Sequence, residues 1–284
     1  MSAQSSSTSS GKPLLSDFGY NRFSQNGEDG IIAKIFTLIG TTSKLCVEFG
    51  AWDGYHLSNT ANLWTNGWKA ILIEGDPRRY DLLKRNVSEH DCLCVCAYVG
   101  RDGPDALEAI LERHGVKGEI DLLSIDIDGD DYYVLQSLRR LRPRVIICEY
   151  NPTIPAAVDL YAGYASQFGA SVQALCRIAG SLGYVLVAAT DTNCFFVRSE
   201  YEVALAAVER RIEHIKLERQ LVYLVTDFRG DYVIHGRPPY GIGVPYRGAL
   251  NGDVTRVKFR GAIVGTLFRA LRWVRSFVRR HLPS

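Results

Sequence analysis

Short apolar runs recur along the first two thirds of the chain, and each ends in acidic or glycine-rich residues. They are KLCVEFG (44–50), KAILIEGD (69–76), CLCVCAYVG (92–100), IDLLSIDIDG (120–129) and RVIICEYN (144–151). The stretches between them, Ser58–Trp64, Arg79–Val87, Asp105–His114 and Asp131–Leu141, carry helical spacing. Ahead of them, Glu28–Ile39 places Ile31, Ile32, Ile35, Phe36 and Ile39 on one helical face, after the capping candidates in SQNGEDG and before Gly40. Strands alternating with helices predict a doubly wound α/β fold around a mostly parallel sheet covered on both faces. GYVLVAAT (183–190) and NCFFVRS (193–199) flank a short polar turn and predict a closing hairpin, with Ser171–Leu182 as the helix before it. The sheet is therefore expected to have seven strands and to end near Ser199.

Beyond Ser199 the pattern changes. Glu200–Leu221 is expected to form a charged amphipathic helix, and Asp227–Asp253, rich in Gly, Pro and Tyr, an irregular connector or lid. From Val264 onward, Leu267, Phe268, Leu271, Val274, Val278 and Leu282 continue one helical stripe, with Arg269, Arg272, Arg279 and Arg280 largely off it. This C-terminal amphipathic helix suits an anionic membrane surface; the alternative is packing on its own domain or on a second subunit. The expected organisation is a Ser-rich disordered tail at 1–15, an α/β domain at 16–199, a helix and connector at 200–254 and a basic helix at 255–284.

Composition narrows the class. The 284 residues are 46% hydrophobic and 23% charged, as in ordinary globular proteins. The net charge of +2 hides eight basic and no acidic residues from Thr255 to the end, which leaves the rest of the chain at −6. A mildly acidic body argues against nucleic acid as a partner. Seven cysteines without zinc-type spacing read as small buried residues, with Cys92, Cys94 and Cys96 on one strand face. MSAQSSSTSSGK lacks the pattern of a secretory signal, and no apolar run approaches the roughly 20 residues of a membrane span. A cytoplasmic protein, peripheral on the inner membrane face if the basic helix binds there, is the expectation.

Ligands of an open α/β sheet bind beyond the carboxyl ends of its strands, so those ends carry the chemistry. The first strand ends VEFGAWDG, where Gly50 and Gly54 allow close backbone approach to a ligand and Glu48 and Asp53 repel phosphate. It lacks the glycine spacing of a dinucleotide site and the lysine of a triphosphate loop. Glu74, ending the second strand, is placed for two ribose hydroxyls. The fourth strand ends in Asp126, Asp128, Asp130 and Asp131, and the fifth offers Glu149 and Asn151. Asp126 and Asp128, if side by side on a strand face, need a proton, a cation or a ligand between them. The D-x-D-G-x-D string lacks the twelfth-position glutamate of a calcium loop.

SQNGEDGII, VEFGAWDGYHLSNT, IEGD and IDIDGDDYYVL, in that order between Phe23 and Arg198, resemble the FkbM-like family of class I S-adenosylmethionine-dependent methyltransferases. The resemblance implies a Rossmann-like methyltransferase fold with S-adenosylmethionine as cofactor. It implies that Glu48, Gly50 and Gly54 line the methionine part, with Ala51 and Asp53 of the same turn beside the cofactor, and that Glu74 binds the ribose. Ala97 and Tyr98 would flank adenine, and Asp126 would sit near the sulfonium and the acceptor. Asp128 stands where many relatives have glutamate. The implied activity is O-methylation of a sugar hydroxyl in a glycan or glycolipid precursor; the alternatives are a small natural product or lipid as acceptor, or a non-catalytic scaffold.

A sugar hydroxyl is a weak nucleophile, which makes Asp126 or His56 the candidate base and Asp126, Glu149 and Asn151 a candidate Mg2+ site. Ser24, Gln25, Glu28 and Asp29 either cap the first helix or fold over the cofactor.

Overall fold

The computed structural model describes residues 11–164 and 168–215, together with 221, 223–226, 228 and 232–235. The chain divides into two compact units, Met1–Arg219 and Gln220–Ser284. In the first unit, seven strands form one sheet: β1 (Leu45–Phe49), β2 (Lys69–Glu74), β3 (Cys92–Cys96), β4 (Leu122–Ile125), β5 (Val145–Glu149), β6 (Tyr184–Ala189) and β7 (Asn193–Arg198). Their order is β3-β2-β1-β4-β5-β7-β6, and β7 alone runs against its neighbours. Each predicted apolar run contains one of these strands, and the closing hairpin is β6–β7.

Side-chain alternation divides the core into two layers. Val47, Phe49, Leu123, Ile125, Ile146 and Cys148 pack with helices α4 (Leu107–Arg113), α5 (Asp131–Ser137) and α6 (Val172–Ser181). Cys46, Leu72, Leu122, Val145 and Ile147 face the opposite layer with α1 (Glu28–Ile39), α2 (Ala61–Trp64) and α3 (Pro77–Asn86). Ile31, Ile32, Ile35 and Phe36, the stripe read from the sequence, are the buried face of α1. Local chemistry sets the helix starts: the Asp76 carboxylate accepts from Arg78 N and Arg79 N beside Pro77, and Ser171 Oγ accepts from Ala174 N. Those amides hold Asp76 below the usual carboxylate range.

The tail expected at 1–15 does not include Leu15, which is fully buried in a 3-10 turn, Leu15–Phe18; residues 1–10 lie outside the described residues. Glu200–Leu221 is not one helix over its described residues. It holds the 3-10 turn Ser199–Tyr201 and α7 (Ile212–Ile215). Glu209 Oε1 accepts from the amides of Arg210 and Arg211, so a new helix starts there. All seven cysteines are free, and Cys96 is exposed at the sheet edge.

The second unit contains the antiparallel pair β8 (Tyr223–Thr226) and β9 (Tyr232–His235). A strand therefore lies within Asp227–Asp253, where irregular chain was expected; the run Tyr-Val-Ile carries its β propensity. The expected C-terminal helix lies outside the described residues. Among the described residues no helix is long and apolar enough to cross a membrane.

Candidate active site

β1 and β4 are neighbours whose following strands lie on opposite sides, and ligand crevices of open sheets form at such a switch in strand order. Gly50 has φ 72°, and a Cβ there would lie 2.2 Å from the Asp126 carbonyl oxygen. The two strand ends thus touch through backbone, and only glycine fits. The Glu48 carboxylate, expected at the cofactor, turns into the β1–α2 loop: it accepts from Ser58 Oγ and Thr60 Oγ1 at 2.6 Å and from Asn59 N at 2.8 Å. Asn59 Nδ2 in turn donates to Ser124 Oγ on β4. Burial raises the Glu48 pKa against the pull of these hydrogen bonds.

Asp53 also serves the loop, its Oδ1 accepting from Tyr55 N and His56 N. Gly54, with φ 91°, leans on Leu83 and Val87 of the α3 layer. Ala51 N bonds to Ile73 O across the β1–β2 ends.

Glu74 accepts one backbone amide on each oxygen, from Trp52 N at 2.9 Å and Asp76 N at 2.8 Å. A carboxylate takes about four such bonds, so lone pairs remain on both oxygens for a diol. Ala97 N donates to Glu74 O, and the exposed Tyr98 ring lies against Gly75, where an added Cβ would meet it at 2.3 Å. The structure therefore brings the residues implied for ribose and adenine together at the ends of β2 and β3.

Across the switch, one carboxylate oxygen from each of Asp126, Asp128 and Glu149 lies within 4.8 Å of the others. The cluster is built by a turn and not by strand alternation, because Asp128 takes a left-handed φ of 57° just beyond β4. Asp131 closes that turn, accepting from Ile127 N and Gly129 N, and burial pushes its pKa up to about 6. Burial, then the charges of Asp131, Asp128, Glu48 and Glu28, raises Asp126. Burial, then the charges of Asp126, Asp131 and Asp128, raises Glu149 further. Such a group of carboxyls retains a proton where isolated ones have lost theirs.

Two expected site residues stand apart from the cluster. Asn151 closes its own loop: its Oδ1 accepts from Thr153 N and Oγ1, and its Nδ2 donates to Phe168 O. Asp128 takes the place expected for it. His56 packs its exposed ring on Trp52 at 5.0 Å, with Arg79 on that indole at 3.9 Å, and among the described residues no hydrogen bond joins it to Asp126, Asp128 or Glu149.

The N-terminal segment does more than cap α1, whose N-cap is Gly27. Asp29 Oδ2 gathers the amides of Arg22, Phe23 and Ser24. Glu28, fully buried, accepts from Asn26 N, Thr190 Oγ1 and Asn193 Nδ2, and so ties the segment to the β6–β7 turn. Asn193 stands opposite Glu149 in the β5–β7 register. Thr190 and Asn193 were not singled out in the sequence; the polar turn TDTN between two apolar strands was their only signal.

An FkbM methyltransferase domain model matches residues 105–186, which include the carboxylate cluster but not the β1 and β2 motifs. No curated protein matches the chain. Solved structures similar to it include TrmK of M. capricolum with S-adenosyl-homocysteine, at 14% identity and TM-score 0.37 over 58% of this chain and 65% of that one. The Pyrococcus abyssi tRNA (uracil-54, C5)-methyltransferase with S-adenosyl-L-homocysteine matches at 16% identity and TM-score 0.35, over 59% and 36%. A Bacillus cereus O-methyltransferase matches at 16% and 0.36, over 58% and 76%. The chain thus spans just under two thirds of the first and about a third of the second. At these scores the fold assignment rests on the strand order itself.

Proposed function

We propose that this chain, whose residues 105–186 match the FkbM methyltransferase domain, is an S-adenosylmethionine-dependent O-methyltransferase acting on a sugar hydroxyl of a glycan or glycolipid precursor. The observation that carries the reading is the pairing, across one switch point, of a diol-ready carboxylate with the converging carboxyls of Asp126, Asp128 and Glu149. The cradle fits the cofactor: Gly50 leaves the backbone bare where a side chain would intrude, Glu74 offers lone pairs to the ribose, and Tyr98 and Ala97 lie beside it.

When bound, S-adenosylmethionine supplies an electrophilic methyl, which bonds to the acceptor oxygen as the C–S bond breaks and leaves its electron pair on sulfur. Asp126 takes the hydroxyl proton. Burial and neighbouring charge raise the pKa values of both Asp126 and Glu149, and a carboxylate of raised pKa is a stronger base than an exposed one. Glu48 holds the loop that carries Gly50, and positioning of this kind supplies much of the rate of an in-line transfer.

A divalent cation is the second reading, favoured by the convergence of Asp126, Asp128 and Glu149. Those three would hold it, and it would acidify a bound hydroxyl. Methyl-labelled S-adenosylmethionine incubated with the protein and a polysaccharide or glycolipid extract tests the reading. Label in alkali-stable ether linkage is expected, and Asp126→Asn should reduce it at least about a hundredfold with cofactor binding retained. Full turnover by Asp126→Asn, unchanged by chelator, removes both versions of the mechanism.

A further inference from the structure

A cavity of about 480 Å³ lies between the N-terminal segment and the β6–β7 turn, lined by Ser16, Asp17, Asn26, Thr190 and Asp191 with Ala189. Its size is that of a small-molecule site. β5 and β6 both run against β7, so the β6–β7 turn stands at the same carboxyl edge of the sheet as Glu149, on the side of the switch away from β2 and β3. Two of its lining residues lead inward. Asn26 N and Thr190 Oγ1 both donate to the buried Glu28, whose charge acts on Asp126. Glu28 also accepts from Asn193 Nδ2, and Asn193 stands opposite Glu149 in the β5–β7 register.

We propose that this cavity is the acceptor subsite and that it selects a neutral, polyhydroxylated ring; this rests on the methyltransferase reading for the reaction, not for the binding. Among the described residues the lining offers carboxylates, an amide and hydroxyls, and no basic side chain. Hydroxyl groups donate to the first and exchange hydrogen bonds with the others. Asp191 is half-buried and its carboxylate makes no hydrogen bond among the described residues, so a sugar hydroxyl finds it free. Asp17 uses one oxygen on Leu14 N. Two carboxylates facing one cavity repel an acidic ligand, so uronic acids and phosphorylated sugars bind this subsite more weakly than neutral ones.

Saturation-transfer NMR on the full chain tests the proposal, with methyl glycosides of glucose, galactose and mannose, the matching uronates and the matching hexosamines as probes. At least one neutral hexoside is expected to receive saturation, with its uronate bound about tenfold more weakly. Asp191→Trp, which fills the cavity, should abolish that transfer, and Asp191→Asn should narrow the gap between hexoside and uronate. Absence of transfer to every neutral hexoside, capture of hexosamines alone, or transfer indifferent to both substitutions overturns it. If Asp191→Trp does not fold, Asp191→Asn decides alone. Hexoside capture by a protein that binds no S-adenosylmethionine would leave the subsite standing and defeat the methyltransferase reading; the reverse result would defeat only the subsite.

Discussion

Gly50 and Asp126 meet through their backbones at the point where β1 and β4 end, so each constrains the other. Gly50→Ala requires a left-handed alanine and a displaced Asp126 carbonyl. A loss of about 1–3 kcal/mol in denaturant unfolding is expected, with cofactor affinity falling together with it. Asp126 and Glu149 make a pH prediction. Their pKa values are raised in the folded protein, so the folded state holds protons that the unfolded chain releases. Their contribution to stability is then fully present below the unfolded carboxylate value, about 4, and is lost as pH climbs through the raised values. Asp126→Asn removes part of that decline, and thermal melts should show the variant gaining on the wild type at about pH 8 relative to about pH 5. Gly50 and Glu74 were legible as a glycine turn and a strand-end acid. The duties of Glu48 and Asn151 were not, because either carboxylate or amide reads equally well as a ligand group until its loop partners, Ser58–Thr60 and Phe168, are known in space.

The elements are held in register at the opposite end of the sheet by one buried pair. Asp121, fully buried, accepts the amides of Thr42, Ser43 and Lys44 and meets Arg144 Nη1 at 2.7 Å. Arg144 also donates to the carbonyls of Ile39 and Gly40 and to the Tyr201 hydroxyl. The pair thus fastens the end of α1, the start of β1 and the turn after β7. Asp121→Ala leaves a buried guanidinium without its partner and should destabilise the fold by about 3–5 kcal/mol in urea titration, with cofactor affinity of the folded fraction unchanged. The strands themselves were legible to within a residue or two at most ends, since buried parallel strands read as short apolar runs. The helix over Glu200–Leu221 was misread because charge and apolar spacing do not reveal that Glu209 starts a new helix by binding two amides.

At the scale of the whole chain, charge is divided unevenly between an acidic body and a basic C-terminal segment. The arginines among residues 255–284 predict that the full chain cofloats with anionic liposomes and that a truncation after Asp253 does not; cofloating that survives truncation removes the segment as the anchor. The number of strands and the closing hairpin could be read from the succession of apolar runs, but their order in the sheet could not, because it depends on which crossovers the helices make. The acceptor side was silent in sequence, because Ser16, Asn26 and Asp191 come together only when the chain closes on the β6–β7 turn. The central claim is that the crevice at the ends of β1, β2 and β4 holds S-adenosylmethionine. It is tested most directly by calorimetric titration of the full chain with S-adenosylmethionine and S-adenosylhomocysteine, beside Glu74→Ala, with and without Mg2+. Saturable binding that Glu74→Ala loses is the predicted result; no binding under either condition, or binding that Glu74→Ala retains in full, contradicts it.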